Sequence, residues 1–181
     1  MRRLTVVLLA LAVAGCFTIA RTGYDAATDE RSLDTQRADT RITLAIKKAL
    51  LGSSVKGTGG LDVFCRNGVV VLAGVVEGGS RAGTEAGTLA GRAEGVKRVE
   101  TYFLPAQPSK LDDFTIKRKI NAKLVRDGDL KAGQVDMAVI AGHVVLVGIV
   151  DRPEKIDKII AHARATDGVV VVKSFIQITG R

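Results

Sequence analysis

Apolar residues recur along this chain in two rhythms, and the whole sequence of rhythms runs through twice. Ile42, Ile46 and Leu50 stand four residues apart, the spacing of one helix face. Leu61, Val63 and Cys65 then alternate with other residues as on a half-buried strand. Asn67-Gly68 follows, a strong two-residue hairpin signal because both residues tolerate positive φ. The run returning from the turn is almost wholly β-branched, as suits a strand in a small core. The pattern predicts a helix over about 40–51, two strands, a second helix over about 81–94 and a last strand over 96–104. Thr40 is the expected cap at the start of the first helix, and Gly52 stands where it should stop.

The second passage repeats this at an offset of 74. Gly68 to Val76 matches Gly142 to Val150, and Ile42, Ile46 and Leu50 match Ile116, Ile120 and Leu124. Val135, Met137 and Val139 take the places of Leu61, Val63 and Cys65, with Ala141-Gly142 at the turn. After a slip of one residue, Gly95-Val96 and Val99 match Gly168-Val169 and Val172. The second copy predicts a helix over 112–126, capped by Asp112 or Asp113 and stopped near Gly128, and another over 153–166. Pro153 sits at the first turn of that last helix, whose buried stripe is Ile156, Ile159, Ile160 and Ala163. Each copy therefore reads α-β-β-α-β. The fold class is α+β, two tandem domains over residues 39–104 and 111–181, each a three-stranded sheet backed by two helices. Residues 105–110, with Pro105 and Pro108, form a short, stiff connector.

Ahead of the first domain the pattern changes. Arg2 and Arg3 precede an apolar run from Leu4 to Ala14, too short for the roughly 20 residues of a spanning helix but typical of a signal peptide. It leads into Val13-Ala14-Gly15-Cys16, which resembles a bacterial lipobox. The resemblance implies removal of residues 1–15 and lipidation of Cys16, which anchors the mature chain without a transmembrane helix. By the same resemblance, Phe17 where an Asp would retain a lipoprotein at the inner membrane implies the periplasmic face of the outer membrane. Residues 17–38, rich in Thr, Asp, Arg and Ala, read as a tether with room for a little helix near its end.

Composition narrows the chemistry. The net charge is +8, with +3 in residues 39–104 and +4 in residues 105–181. Such a surplus suits nucleic acid or an anionic membrane, and a secreted protein does not meet the genome. With Cys16 lipidated, Cys65 is the one remaining thiol and reads as a small core residue. His143 and His162 are the only histidines and fall in no metal or triad spacing, and no Gly-Lys-Ser/Thr follows Gly57-Thr58-Gly59-Gly60. No enzyme activity, metal or cofactor is expected beyond the covalent diacylglycerol and N-acyl chain on Cys16.

The pattern Gly-x-Val-x-Leu-x-Gly-x-Val, present at Gly68–Val76 and again at Gly142–Val150, resembles the signature of the BON domain. The later Gly-Val-x-x-Val of each copy is similar to its C-terminal strand. Two such domains behind a lipobox resemble the dual BON-domain outer-membrane lipoproteins, a likeness covering about 140 residues. It implies recognition of anionic phospholipid and support of envelope integrity. The alternative is an adaptor that binds an envelope protein without touching lipid.

The first helix of the second copy is the expected lipid-binding element. Lys119, Lys123 and Arg126 flank its buried stripe on one side and Lys117 on the other. Long basic side chains so placed reach phosphates while their stems contact acyl chains. The matching helix of the first copy offers Arg41, Lys47 and Lys48. The second copy has only Phe114 and Phe175 as aromatic residues and no Trp, which argues against insertion by an aromatic anchor. Gly83, Gly87 and Gly91 form a ridge that either packs closely, inside the domain or on a partner, or marks a frayed segment.

Overall fold

A computed structural model describes residues 29–53, 57–77, 79–105 and 112–179. The expected signal peptide, Cys16, most of the expected tether and nearly all of the expected connector lie outside the described residues. The elements run α1 Leu33–Leu51, β1 Asp62–Arg66, β2 Val69–Val75, α2 Gly79–Gly91 and β3 Arg98–Leu104. They continue with α3 Asp113–Arg126, β4 Val135–Ile140, β5 His143–Val150, α4 Pro153–Arg164 and β6 Val171–Ile178.

Two separate three-stranded sheets form, ordered β1-β2-β3 and β4-β5-β6. In each the hairpin pairs antiparallel and the last strand returns parallel to the middle one, across a helical crossover. The hairpin turns carry positive φ at both central residues, Asn67 (53°) and Gly68 (76°), then Ala141 (49°) and Gly142 (79°). That is the primed turn whose twist matches the strands it joins. Each core lies between a sheet and its two helices. Ile42, Ile46, Leu50, Val63, Cys65, Val70 and Leu72 fill the first. Ile116, Ile120, Leu124, Met137, Val144, Leu146 and Ile159 fill the second. Cys65 is buried and its counterpart Val139 is half-buried.

The first helix begins earlier than the apolar pattern suggested. Its cap is Ser32, whose Oγ accepts from the Thr35 N–H at 3.2 Å, while Thr40 lies inside the helix and donates back to the Gln36 carbonyl. The opening turns extend past the core, so nothing in them requires an apolar face. Charge holds them instead, because Arg31 pairs with both Asp29 and Asp39 in a buried cluster. The folded part of the chain thus takes in residues 29–38, which the sequence had assigned to the tether. Asp112 caps α3 through the N–H groups of Phe114 and Thr115, and the helix closes on Asp127 rather than Gly128.

A third core joins the halves. Val71 and Ala73 of β2 and Ala138, Val145 and Val147 of β4 and β5 are completely or almost completely buried, with Phe64, Tyr102, Ile140 and Phe175 packed around them. The two sheets meet on the faces their helices leave bare, giving four layers in the order helix, sheet, sheet, helix. The contributors are repeat partners: Val71 with Val145, Ala73 with Val147, Phe64 with Ala138, Tyr102 with Phe175. The halves are therefore related by an approximate two-fold axis.

Candidate functional site

Of the four basic residues expected on α3, Lys119, Lys123 and Arg126 share one flank of the helix and Lys117 lies on the other. Lys123 extends its Nζ to the Ala165 carbonyl at 2.6 Å, satisfying an end group of α4, and Lys119 lies 3.5 Å from Asp167. Both are occupied in joining α3 to the end of α4. Lys117, on the other flank, borders a cavity of about 230 Å³ whose walls include Phe64, Asn121, Val125 and Met137. Arg126 is exposed in the last turn.

A different face of α3 is open. Phe114 is 65% exposed and Val125 67%, and the Arg118 guanidinium stands 5.7 Å from the Phe114 ring centroid, within cation–π range. Phe114, Arg118, Asn121 and Val125 follow at spacings of four, three and four, one line along a helix opposite the buried stripe. Lys117 borders that line. Phe114, one of the two phenylalanines of the second copy, is the aromatic residue exposed on this line. Its exposure was readable from the same spacing rule, since its line never meets Ile116, Ile120 and Leu124.

Asp39 and Asp113, also 74 apart, play one structural part in both domains. Asp39 accepts from the backbone N–H groups of Asn67 and Gly68 at 2.8 and 2.9 Å, and Asp113 from those of Ala141 and Gly142 at 2.7 and 2.9 Å. Each fastens its first helix to its hairpin turn. Asp39 is 3% exposed, and burial alone would raise its pKa. Hydrogen bonds from Gly68, Arg31, Asn67 and Cys65 outweigh burial and hold its carboxyl below the usual carboxylate range. The neighbouring Cys65 thiol is pushed up to about 12 by burial and by donation to that carboxylate. A thiol in that state is a poor nucleophile.

The glycine ridge faces inward. A Cβ at Gly83 would meet the Phe103 ring at 2.9 Å, while at Gly87 and Gly91 it would reach Thr101 and Val99 at 3.8 Å. The ridge lets α2 settle on β3, so the reading of a frayed segment is set aside. His143 meets Tyr102 between the sheets, and His162 Nε2 lies 2.8 Å from Asp127. Among the described residues no group of three His, Cys, Asp or Glu could hold a metal ion. Nor is any helix there long and apolar enough to cross a membrane.

Two solved structures are similar at low identity. One is CdsD, a structural protein of the type III secretion system of Chlamydia trachomatis, at 16% identity and a TM-score of 0.33, covering 77% of this chain and 63% of that one. The other is the C-terminal domain of CdsD, at 15% identity and a TM-score of 0.32, covering 77% and 66%. This chain thus spans less than two thirds of either. The BON domain matches twice, over residues 38–103 and 112–180, and each match takes in one αββαβ unit. With most of its length in those two matches, the chain belongs to the BON domain family.

Proposed function

We propose that this chain is a lipoprotein of the outer membrane, anchored through Cys16 on the periplasmic side, that recognises anionic phospholipid and supports envelope integrity. The observation that carries the reading is the outward face of α3, where exposed Phe114 and Val125 stand in line with Arg118 and beside Lys117. An apolar line with basic flanks suits the boundary between headgroups and acyl chains. Each basic group near an anionic surface contributes about 1 kcal/mol, and burying a phenylalanine contributes about 2 kcal/mol. The sum gives weak, salt-sensitive attachment that the lipid anchor reinforces. The adaptor alternative loses one of its proposed contact surfaces, because the glycine ridge packs within its own domain.

The test uses residues 17–181, which keep every described helix and strand. They should float with vesicles containing phosphatidylglycerol or cardiolipin and not with phosphatidylcholine alone, and less as salt rises. Replacing Phe114, Arg118 and Val125 together with Gln should weaken flotation markedly. Replacing Lys119 and Lys123 should chiefly lower stability. No flotation by the unaltered protein at any ionic strength would favour the adaptor. Separately, Cys16→Ser in the full chain should abolish incorporation of radiolabelled palmitate.

A further inference from the structure

The first domain presents an outward helical face of the same composition, and it points the other way. Leu33, Leu44 and Leu51 of α1 are 59%, 62% and 71% exposed. Their spacings of eleven and seven residues are close to whole turns, so the three fall within about 20° of one line. Ile42, Ile46 and Leu50, which face the core, lie on the opposite side of the helix. Arg37, Arg41, Lys47 and Lys48 are exposed along the leucine line. Asp34 is the only exposed acid on the helix, since Asp39 is turned inward and buried. Arg37 pairs with Asp34 at 3.3 Å, a contact open to solvent.

The chemistry of this line selects its occupant. A helical protein partner would need a continuous seam of knobs, and here Arg37, Thr40 and Lys47 interrupt the leucines. A second copy laid on the same face would bring two sets of four basic residues together. An anionic lipid surface accepts both features, with leucines entering the acyl boundary and basic stems reaching the phosphates. The two-fold relation between the halves then sets direction. Val71 and Ala73 face the other sheet while Val70 and Leu72 face the helices, so the two helix layers are the outermost layers on opposite sides. Sheets and helices stacked about 10 Å apart place the two outer surfaces about 40 Å from each other.

We propose that the outward face of α1 is a second anionic-lipid surface, and that with α3 on the far side the chain can hold two lipid surfaces together. This rests on the lipid reading of α3 and extends it to a bridging activity. The tests below fail separately for the two faces.

Residues 17–181 are mixed with vesicles of phosphatidylcholine and phosphatidylglycerol, and flotation and vesicle size by dynamic light scattering are read together. The unaltered protein should float and should increase the mean particle size several-fold, reversibly on adding salt. Leu33→Gln/Leu44→Gln/Leu51→Gln should still float through α3 and leave the vesicles single. Arg41→Gln/Lys47→Gln/Lys48→Gln, which touches no apolar residue, should do the same. The α3 variant Phe114→Gln/Arg118→Gln/Val125→Gln should still float, more weakly than the unaltered protein, through α1, again without clustering. Clustering by the leucine variant at the unaltered level would overturn the proposal, as would flotation of the unaltered protein without clustering. An α3 variant that does not float at all overturns the α1 surface and leaves the α3 reading intact. A leucine variant that fails to float beside an α3 variant that floats overturns the α3 reading instead. Sedimentation of the protein alone as a dimer would assign clustering to self-association and overturn bridging.

Discussion

The Tyr102 hydroxyl lies 2.7 Å from Nδ1 of His143, with the two rings 6.1 Å apart at their centroids. This polar contact crosses between the two sheets and is made only once. The repeat partners of these residues are Phe175 and Val69, which offer no such pair. Tyr102→Phe and His143→Val should each lower the melting temperature, and a double-mutant cycle should show coupling of about 1 kcal/mol. Calorimetry decides it. Full additivity would mean the contact contributes nothing to holding the sheets together.

Acid should loosen the first domain through Asp39. Its carboxyl sits below the usual carboxylate range in the folded chain, because the hydrogen bonds at the hairpin and from Arg31 favour the ionised form despite burial. The unfolded chain therefore takes up the proton first as pH falls. Stability from this group is complete above the unfolded value near about 3.9 and is lost as pH drops through the lower folded value. Asp39→Asn should cost about 3 kcal/mol at neutral pH, leaving Arg31 short of a partner, and should flatten the acid limb of the stability curve. Urea titrations from pH 2 to 7 measure both. An unchanged acid limb would remove Asp39 from the account.

Cys65 should resist thiol reagents. With its pKa pushed up to about 12 and its side chain buried, the native thiolate fraction at neutral pH is negligible. A chromogenic disulfide should react fully in denaturant and hardly at all in native buffer. Rapid labelling of native protein would show that β1 opens readily from the body of the domain.

The glycines on α2 should respond differently to one methyl group. At Gly87 a Cβ finds ordinary contact with Thr101, so Gly87→Ala should stabilise by about 0.5–1 kcal/mol through helix propensity. At Gly83 the same carbon meets the Phe103 ring at 2.9 Å, and that gain should vanish or reverse. Gly148→Ala should be worst, because its Cβ would collide with the Gln134 carbonyl, a backbone atom that cannot swing away. Thermal denaturation of the three variants should rank them in that order.

Spacing made the repeated αββαβ order, both hairpins and the core-facing positions legible, because each shows as a period within one element or as the residues of one tight turn. The junction of the sheets was written less openly. Val69 to Val76 and Val144 to Val150 are apolar at successive positions rather than alternate ones, the mark of strands covered on both faces. Nothing local said what the second cover would be. Asp39 and Asp113 stand 74 apart, yet their target is a turn 28 or 29 residues away, which no local pattern marks. The contacts of Lys119 and Lys123 were hidden for a similar reason. A helical wheel shows which side a lysine leaves from, and their partners Asp167 and Ala165 arrive only with the fold.

Arg66 binds Asp136 across the junction at 2.5 Å, and at the mirrored place the chain has Ile140 and Asp62. This asymmetry bears on what either half would do if the connector were cut. Two first domains meeting through the same surface would set Arg66 of each against Asp62 of the other, making the bond twice. Two second domains would set Ile140 against Asp136 and leave a carboxylate facing a hydrocarbon. The first half is thus equipped to mate with its own kind, and the second is not. Joining them in one chain gives the first half a partner at high local concentration. Freed from that partner, it should sediment as a pair while the other half stays single.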